Sequence, residues 1–128
     1  MPKKSKLHYT ACRRKIMKIT TDLHSRLLSR IARHLNCSNS MALAVSLDYI
    51  AGIQSQTQAA DIKQFHEKEP ATRIQVLFTP DQLDRLLAVL EESQLTYSAF
   101  AKRVIEQMEA KLPKLNKKHK AIARFRNI

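Results

Sequence analysis

One pattern occurs twice in this chain of 128 residues, and the repeat limits what it can build. Arg14-Lys15-Ile16-Met17-Lys18-Ile19 is followed by Thr20-Thr21-Asp22, an apolar-periodic run from Leu23 to Leu35, a polar break and a second run from Ser40 to Ile50. Residues 72–112 repeat the order. Arg73-Ile74-Gln75-Val76-Leu77-Phe78 precedes Thr79-Pro80-Asp81, then runs from Leu83 to Leu95 and from Ser98 to Leu112. Arg26-Leu27-Leu28 and Arg85-Leu86-Leu87 fall at equivalent places, a few residues into the first run of each copy. One strand and two helices cannot bury an apolar face alone, so the two copies are expected to complete each other.

The period of the residues assigns the elements. Ile74, Val76 and Phe78 alternate with Arg73, Gln75 and Leu77, the period of a half-buried strand. Thr79 suits a helix cap, with Pro80 at the first position and Asp81 in the first turn. Leu83, Leu86, Leu87 and Leu90 form a helical stripe. Thr96 or Ser98 caps the next helix, lined by Phe100, Val104, Ile105 and Met108 and stopped by Pro113. In the first copy Met17 and Ile19 face inward and Arg14, Ile16 and Lys18 outward. Lys15 then falls at an inward position, which implies that this strand starts at Ile16 or frays. Thr20 or Thr21 caps a helix lined by Leu23, Leu27, Ile31 and Leu35; Asn36 takes a left-handed turn; Ser38 or Ser40 caps a helix lined by Leu43, Leu47 and Ile50. Gly52, the only glycine, stands at that helix's C-terminus. The organisation read from this is a basic N-terminal arm at 1–12, one unit at 13–52, a linker at 53–71 that continues as helix until Pro70, a second unit at 72–112 and a basic tail at 113–128.

Charge is clustered. The net charge is +12; residues 1–35 hold ten basic and one acidic residue, 36–110 six and ten, and 111–128 seven and none. Basic ends around a mildly acidic middle suit a chain that grips a polyanion, and a nucleic acid is the expected partner. No stretch approaches the ~20 apolar residues of a membrane span, and the Lys-rich start has no apolar segment behind it. No membrane partner and a cytoplasmic location are expected. Two cysteines are too few for a disulfide framework.

Strand, helix, helix with this capping resembles the ribbon-helix-helix (MetJ/Arc) superfamily of DNA-binding proteins. The likeness covers about three quarters of the chain. It rests on Ile19-Thr-Thr-Asp-Leu-His-Ser-Arg-Leu27 at the strand-to-helix junction. Ser38-Asn-Ser-Met-Ala-Leu-Ala-Val-Ser-Leu47 and Thr96-Tyr-Ser-Ala-Phe-Ala-Lys-Arg-Val-Ile105 look like second-helix starts. Where the family usually has glycine between its helices, Asn36 and Gln94 stand here. Two copies in one chain are similar to conjugation accessory proteins of the TraY type.

The resemblance implies a mainly helical fold with a two-stranded antiparallel β-ribbon, arranged as a tandem ribbon-helix-helix pseudo-dimer. It implies that the ribbon enters the DNA major groove, with Arg14, Ile16, Lys18, Arg73, Gln75 and Leu77 reading base edges. Arg and Lys suit guanine, Gln suits adenine, and Ile16 and Leu77 offer apolar contact. Backbone N–H groups near Ser40 and Ser98 would meet phosphates. Lys3, Lys4, Lys6 and Arg13, and Lys117, Lys118, Lys120, Arg124 and Arg126 would follow the DNA backbone from tails that are otherwise unstructured. Ile122 and Phe125 could instead mark a short helix that docks on a partner or a neighbouring copy. The function expected is sequence-specific duplex binding, as a transcriptional repressor or a transfer-origin accessory factor, with further copies of the chain joining on DNA. The alternatives are an antitoxin-like module that binds a protein through its C-terminal tail, and a non-specific architectural binder.

Catalysis has little support. No Gly-rich phosphate loop and no Ser/His/Asp or Cys/His set stands out, and Asp81, Asp84, Glu91 and Glu92 read as a solvated helix surface. No cofactor and no metal are expected. The spacings of His8 with Cys12 and His34 with Cys37 permit a zinc site, but such spacings are common by chance.

Overall fold

A computed structural model describes residues 13–18, 22–56, 73–116 and 118–126, and the side chains at 23–56, 74–116 and 118–125. Its elements are β1 (Arg13–Lys18), α1 (Asp22–Leu35), α2 (Asn39–Ala51), β2 (Arg73–Phe78), α3 (Pro80–Ser93), α4 (Tyr97–Lys111), a 3-10 turn (Leu112–Lys114) and α5 (Lys120–Arg126). β1 and β2 pair antiparallel, with Arg14 opposite Leu77, Ile16 opposite Gln75 and Lys18 opposite Arg73. The pairing runs through Lys15, which lies opposite Val76. The expected start at Ile16, or fraying before it, is therefore corrected: ladder hydrogen bonds use the backbone, which a lysine supplies as well as any other residue.

Local chemistry ends the elements where polarity and turn residues demand. Thr79 Oγ1 accepts from Gln82 N at 3.2 Å while Gln82 Oε1 accepts from Thr79 N at 3.0 Å, a reciprocal cap that satisfies two backbone donors at once. Asn36 and Gln94 both turn left-handed, each at φ 57°. Gly52, at φ 70°, ends α2 with its N–H on Asp48 O and that of Ile53 on Leu47 O. The helix therefore does not run on into residues 53–56 as the sequence suggested; Pro70 lies outside the described residues. Instead Gln56 N donates to Leu77 O at 2.7 Å, so the segment leaving α2 lies along β2.

Ile74, Val76 and Phe78 are buried against the helices. β2 lies on α2 and β1 on α4, so each strand covers the second helix of the other copy. Neither copy closes a core alone. α2 is buried nearly all round, from Met41 to Leu47, because it meets α1, α4, β2 and α5. Val104, Ile105 and Met108 of α4 face it across the centre.

The expected fold class, a tandem ribbon-helix-helix pseudo-dimer, needs correction. The described chain is a helical body of five α-helices with only two six-residue strands, and its halves are not equivalent. α1 rests on both α2 and α4, whereas the strongest contact of α3 with another element is β2. Leu28 of α1 is 1% exposed; Leu87, its repeat mate, is 43% exposed. Leu23, placed by periodicity on the inner face, is 58% exposed, and Leu28 takes the buried place beside it. A stripe gives the direction of an apolar face but not its width, which depends on how many neighbours the helix has.

Of the two readings of the C-terminal tail, unstructured or a short docking helix, the helix forms, and the correction concerns what it docks on. Residues 120–126 form a helix that docks on this chain's own α2, with Ala121, Ile122 and Phe125 buried. Arg124 Nη2 and Nε donate to Asp48 Oδ2 at 2.8 and 3.2 Å. The Tyr49 and His119 rings meet at 4.3 Å between centroids.

Candidate nucleic-acid interface

The ribbon's outer face follows from register and burial together. Side chains alternate across a strand, so with Ile74, Val76 and Phe78 buried, Gln75 and Leu77 take the opposite face. Gln75 is exposed and Leu77 half-buried. Residues directly opposite in an antiparallel pair share a face, so the register sets positions 14, 16 and 18 beside 77, 75 and 73. The six positions form three cross-strand pairs: Arg14 with Leu77, Ile16 with Gln75, and Lys18 with Arg73. By sequence these six positions carry three cations, one amide and no acid. Lys18 and Arg73 are directly opposed in the register.

Ser38 and Thr96 cap the second helices. Ser38 Oγ accepts from Met41 N at 3.1 Å and Thr96 Oγ1 from Ala99 N at 3.1 Å. This settles each choice between two candidate caps. It also places Ser40 and Ser98 at the same position, the second residue of their helices, where an α-helix provides no internal partner for the backbone N–H. Both residues are half-buried. The positive end of the helix dipole adds to the same anion-attracting geometry.

The remaining basic candidates divide. Lys118 and Lys120 are exposed. Arg124 is held on Asp48, so its guanidinium already has an acid partner. Arg13 and Arg126 are placed by their backbones in β1 and α5; Lys3, Lys4, Lys6 and Lys117 lie outside the described residues.

Some interacting residues were not visible in the sequence. His24 Nε2 and Glu106 Oε2 are 2.7 Å apart, and Arg30 donates to Glu109 at 2.9 Å, so two pairs tie α1 to α4. A separation of about eighty residues gives no local pattern to find. Asp48, partly covered under Arg124, borders a cavity of about 70 Å³ between α2 and α5, lined by Met41, Val45 and Phe125 among others. Cys37 is buried and His34 exposed; His8 and Cys12 lie outside the described residues. Among the described residues no group of three His, Cys, Asp or Glu side chains is placed to hold a metal ion. No helix among them is long and apolar enough to cross a membrane. No known protein family, curated protein or solved structure matches the chain.

Proposed function

We propose that this chain binds duplex DNA sequence-specifically by laying the β1–β2 ribbon in the major groove, as a repressor or a transfer-origin accessory factor. The observation that carries the reading is the ribbon's outer face, where Arg14, Lys18, Arg73 and Gln75 stand together without an acid. A two-stranded ribbon fits the major groove, and Arg, Lys and Gln match the guanine and adenine edges presented there. The sequence's likeness to DNA-binding ribbon-helix-helix proteins points the same way. In this reading Ser40 and Ser98 bring two helix N-termini to the phosphates, which fixes register without reading sequence. The C-terminal helix argues against the antitoxin-like alternative, because Ile122 and Phe125 are already buried on the chain's own α2.

Selection of bound sequences from a random duplex pool tests this, with Arg73→Ala and Gln75→Ala in parallel. A short enriched motif is expected, and each variant should lose roughly 1–3 kcal/mol of discrimination at one position. Binding without enrichment would replace ribbon readout with a non-specific hold through the basic ends.

A further inference from the structure

The two copies differ most in the first helices. α1 holds three arginines and one acid; α3 holds four acids and one arginine. Their burial differs in a corresponding way. Ser25, Leu28 and Ala32 of α1 are buried, while their repeat mates Asp84, Leu87 and Glu91 are exposed. Those three lie at i, i+3 and i+7 and so share one face of α3. The face that α1 covers within the fold is uncovered on α3 and has become acidic around a leucine.

A matching surface exists elsewhere on the same molecule. Leu23, Arg26 and Arg33 are exposed on the outer face of α1, where Arg30 also lies, reaching over to Glu109. Leu23 and Leu87 are the two exposed large hydrophobic residues among those described, and each sits among charges of opposite sign. Arg26 and Arg33 are seven residues apart, as are Asp84 and Glu91. Both spans are about two turns, or roughly 10 Å, along helices of equal length. Two ion pairs can therefore form together when one helix lies along the other.

We infer that the acidic face of α3 on one chain docks on the basic face of α1 on a second copy, joining copies head to tail. The contact uses different surfaces on the two molecules, so each single contact leaves one acidic and one basic face free for a further copy. If the chain binds DNA as proposed above, copies so joined would all point one way along the duplex. That corollary rests on the DNA reading; the contact does not.

Sedimentation of the full-length chain without DNA, at low ionic strength and rising concentration, tests the contact. The average mass should grow past that of a dimer and fall when salt is added, as expected for paired surface charges. Asp84→Lys with Glu91→Lys should leave a monomer, and so should Arg26→Glu with Arg33→Glu. An equal mixture of the two double variants should associate again, because each reversed face then meets a reversed partner. A wild-type chain that stays monomeric would overturn the inference. Association that survives both reversals, or a mixture that fails to recover it, would do the same. Recovery in the mixture also shows that the charge changes left the variants folded.

Discussion

At the scale of single residues, the backbone at the helix junctions makes the clearest demands. Gln94 holds φ 57° where a side chain costs roughly 1 kcal/mol, and glycine would remove that strain. Gln94→Gly should therefore stabilise the fold by about 0.5–1 kcal/mol after the added freedom of the unfolded chain is counted, read from urea denaturation. Gly52→Ala should act in reverse. Nothing lies within 4 Å of the added Cβ, so the loss of roughly 1–2 kcal/mol would come from the left-handed backbone at φ 70° alone. If the ribbon reads DNA as proposed, Gln75→Ala and Lys118→Ala separate two kinds of contact. The first should relax preference at one base position; the second should weaken all sequences alike, as competition binding would show.

At the scale of elements, equivalent places in the repeat do not mean equal packing. Leu28 and Leu87 occupy the same place in the repeat, but α1 rests on two helices with Leu28 buried, whereas Leu87 on α3 is exposed. Leu28→Ala should cost about 3 kcal/mol through lost burial and the cavity left behind. Leu87→Ala should stay within about 1 kcal/mol of wild type, and thermal melts of the pair would expose the asymmetry. The C-terminal helix gives a second contrast. Seven residues cannot hold a helix in water by themselves, so α5 depends on Ile122 and Phe125 against α2. Phe125→Ala should cost about 3 kcal/mol and lower the helical signal. Breaking the half-exposed Arg124–Asp48 pair should cost less, about 1 kcal/mol at most, since solvent screens it.

At the scale of the whole molecule, one chain supplies two different strands to one ribbon. The pairs Arg14 with Leu77 and Lys18 with Arg73 make its ends unlike, with two cations at one end and one at the other. A single bound chain should therefore protect a non-palindromic element, and footprinting that returned a two-fold symmetric site for one chain would sink the asymmetric reader. Removing residues 113–128 should flatten the salt dependence of binding, because fewer counterions are released. It should also destabilise the protein, because it removes α5 from α2. Both effects can be read from the same truncated chain.

Much of this fold was legible along the sequence, and the reason is that its signals are local. Period-2 alternation marked β2, Thr79-Pro80-Asp81 marked the start of α3, and Asn36 marked a left-handed turn, because each depends on residues within a few positions. Periodicity failed at Leu23 and Leu87, where exposure depends on how many helices surround a stripe rather than on the stripe itself. The strand register, the His24–Glu106 and Arg124–Asp48 contacts and the docking of α5 on α2 join residues far apart in the chain. No spacing rule reaches across such separations. The sequence by itself determined most of the elements, the cap of α3 and the clustering of charge; only the tertiary structure decided between the paired cap candidates and which faces were left over, because burial belongs to pairs of surfaces and not to either one alone.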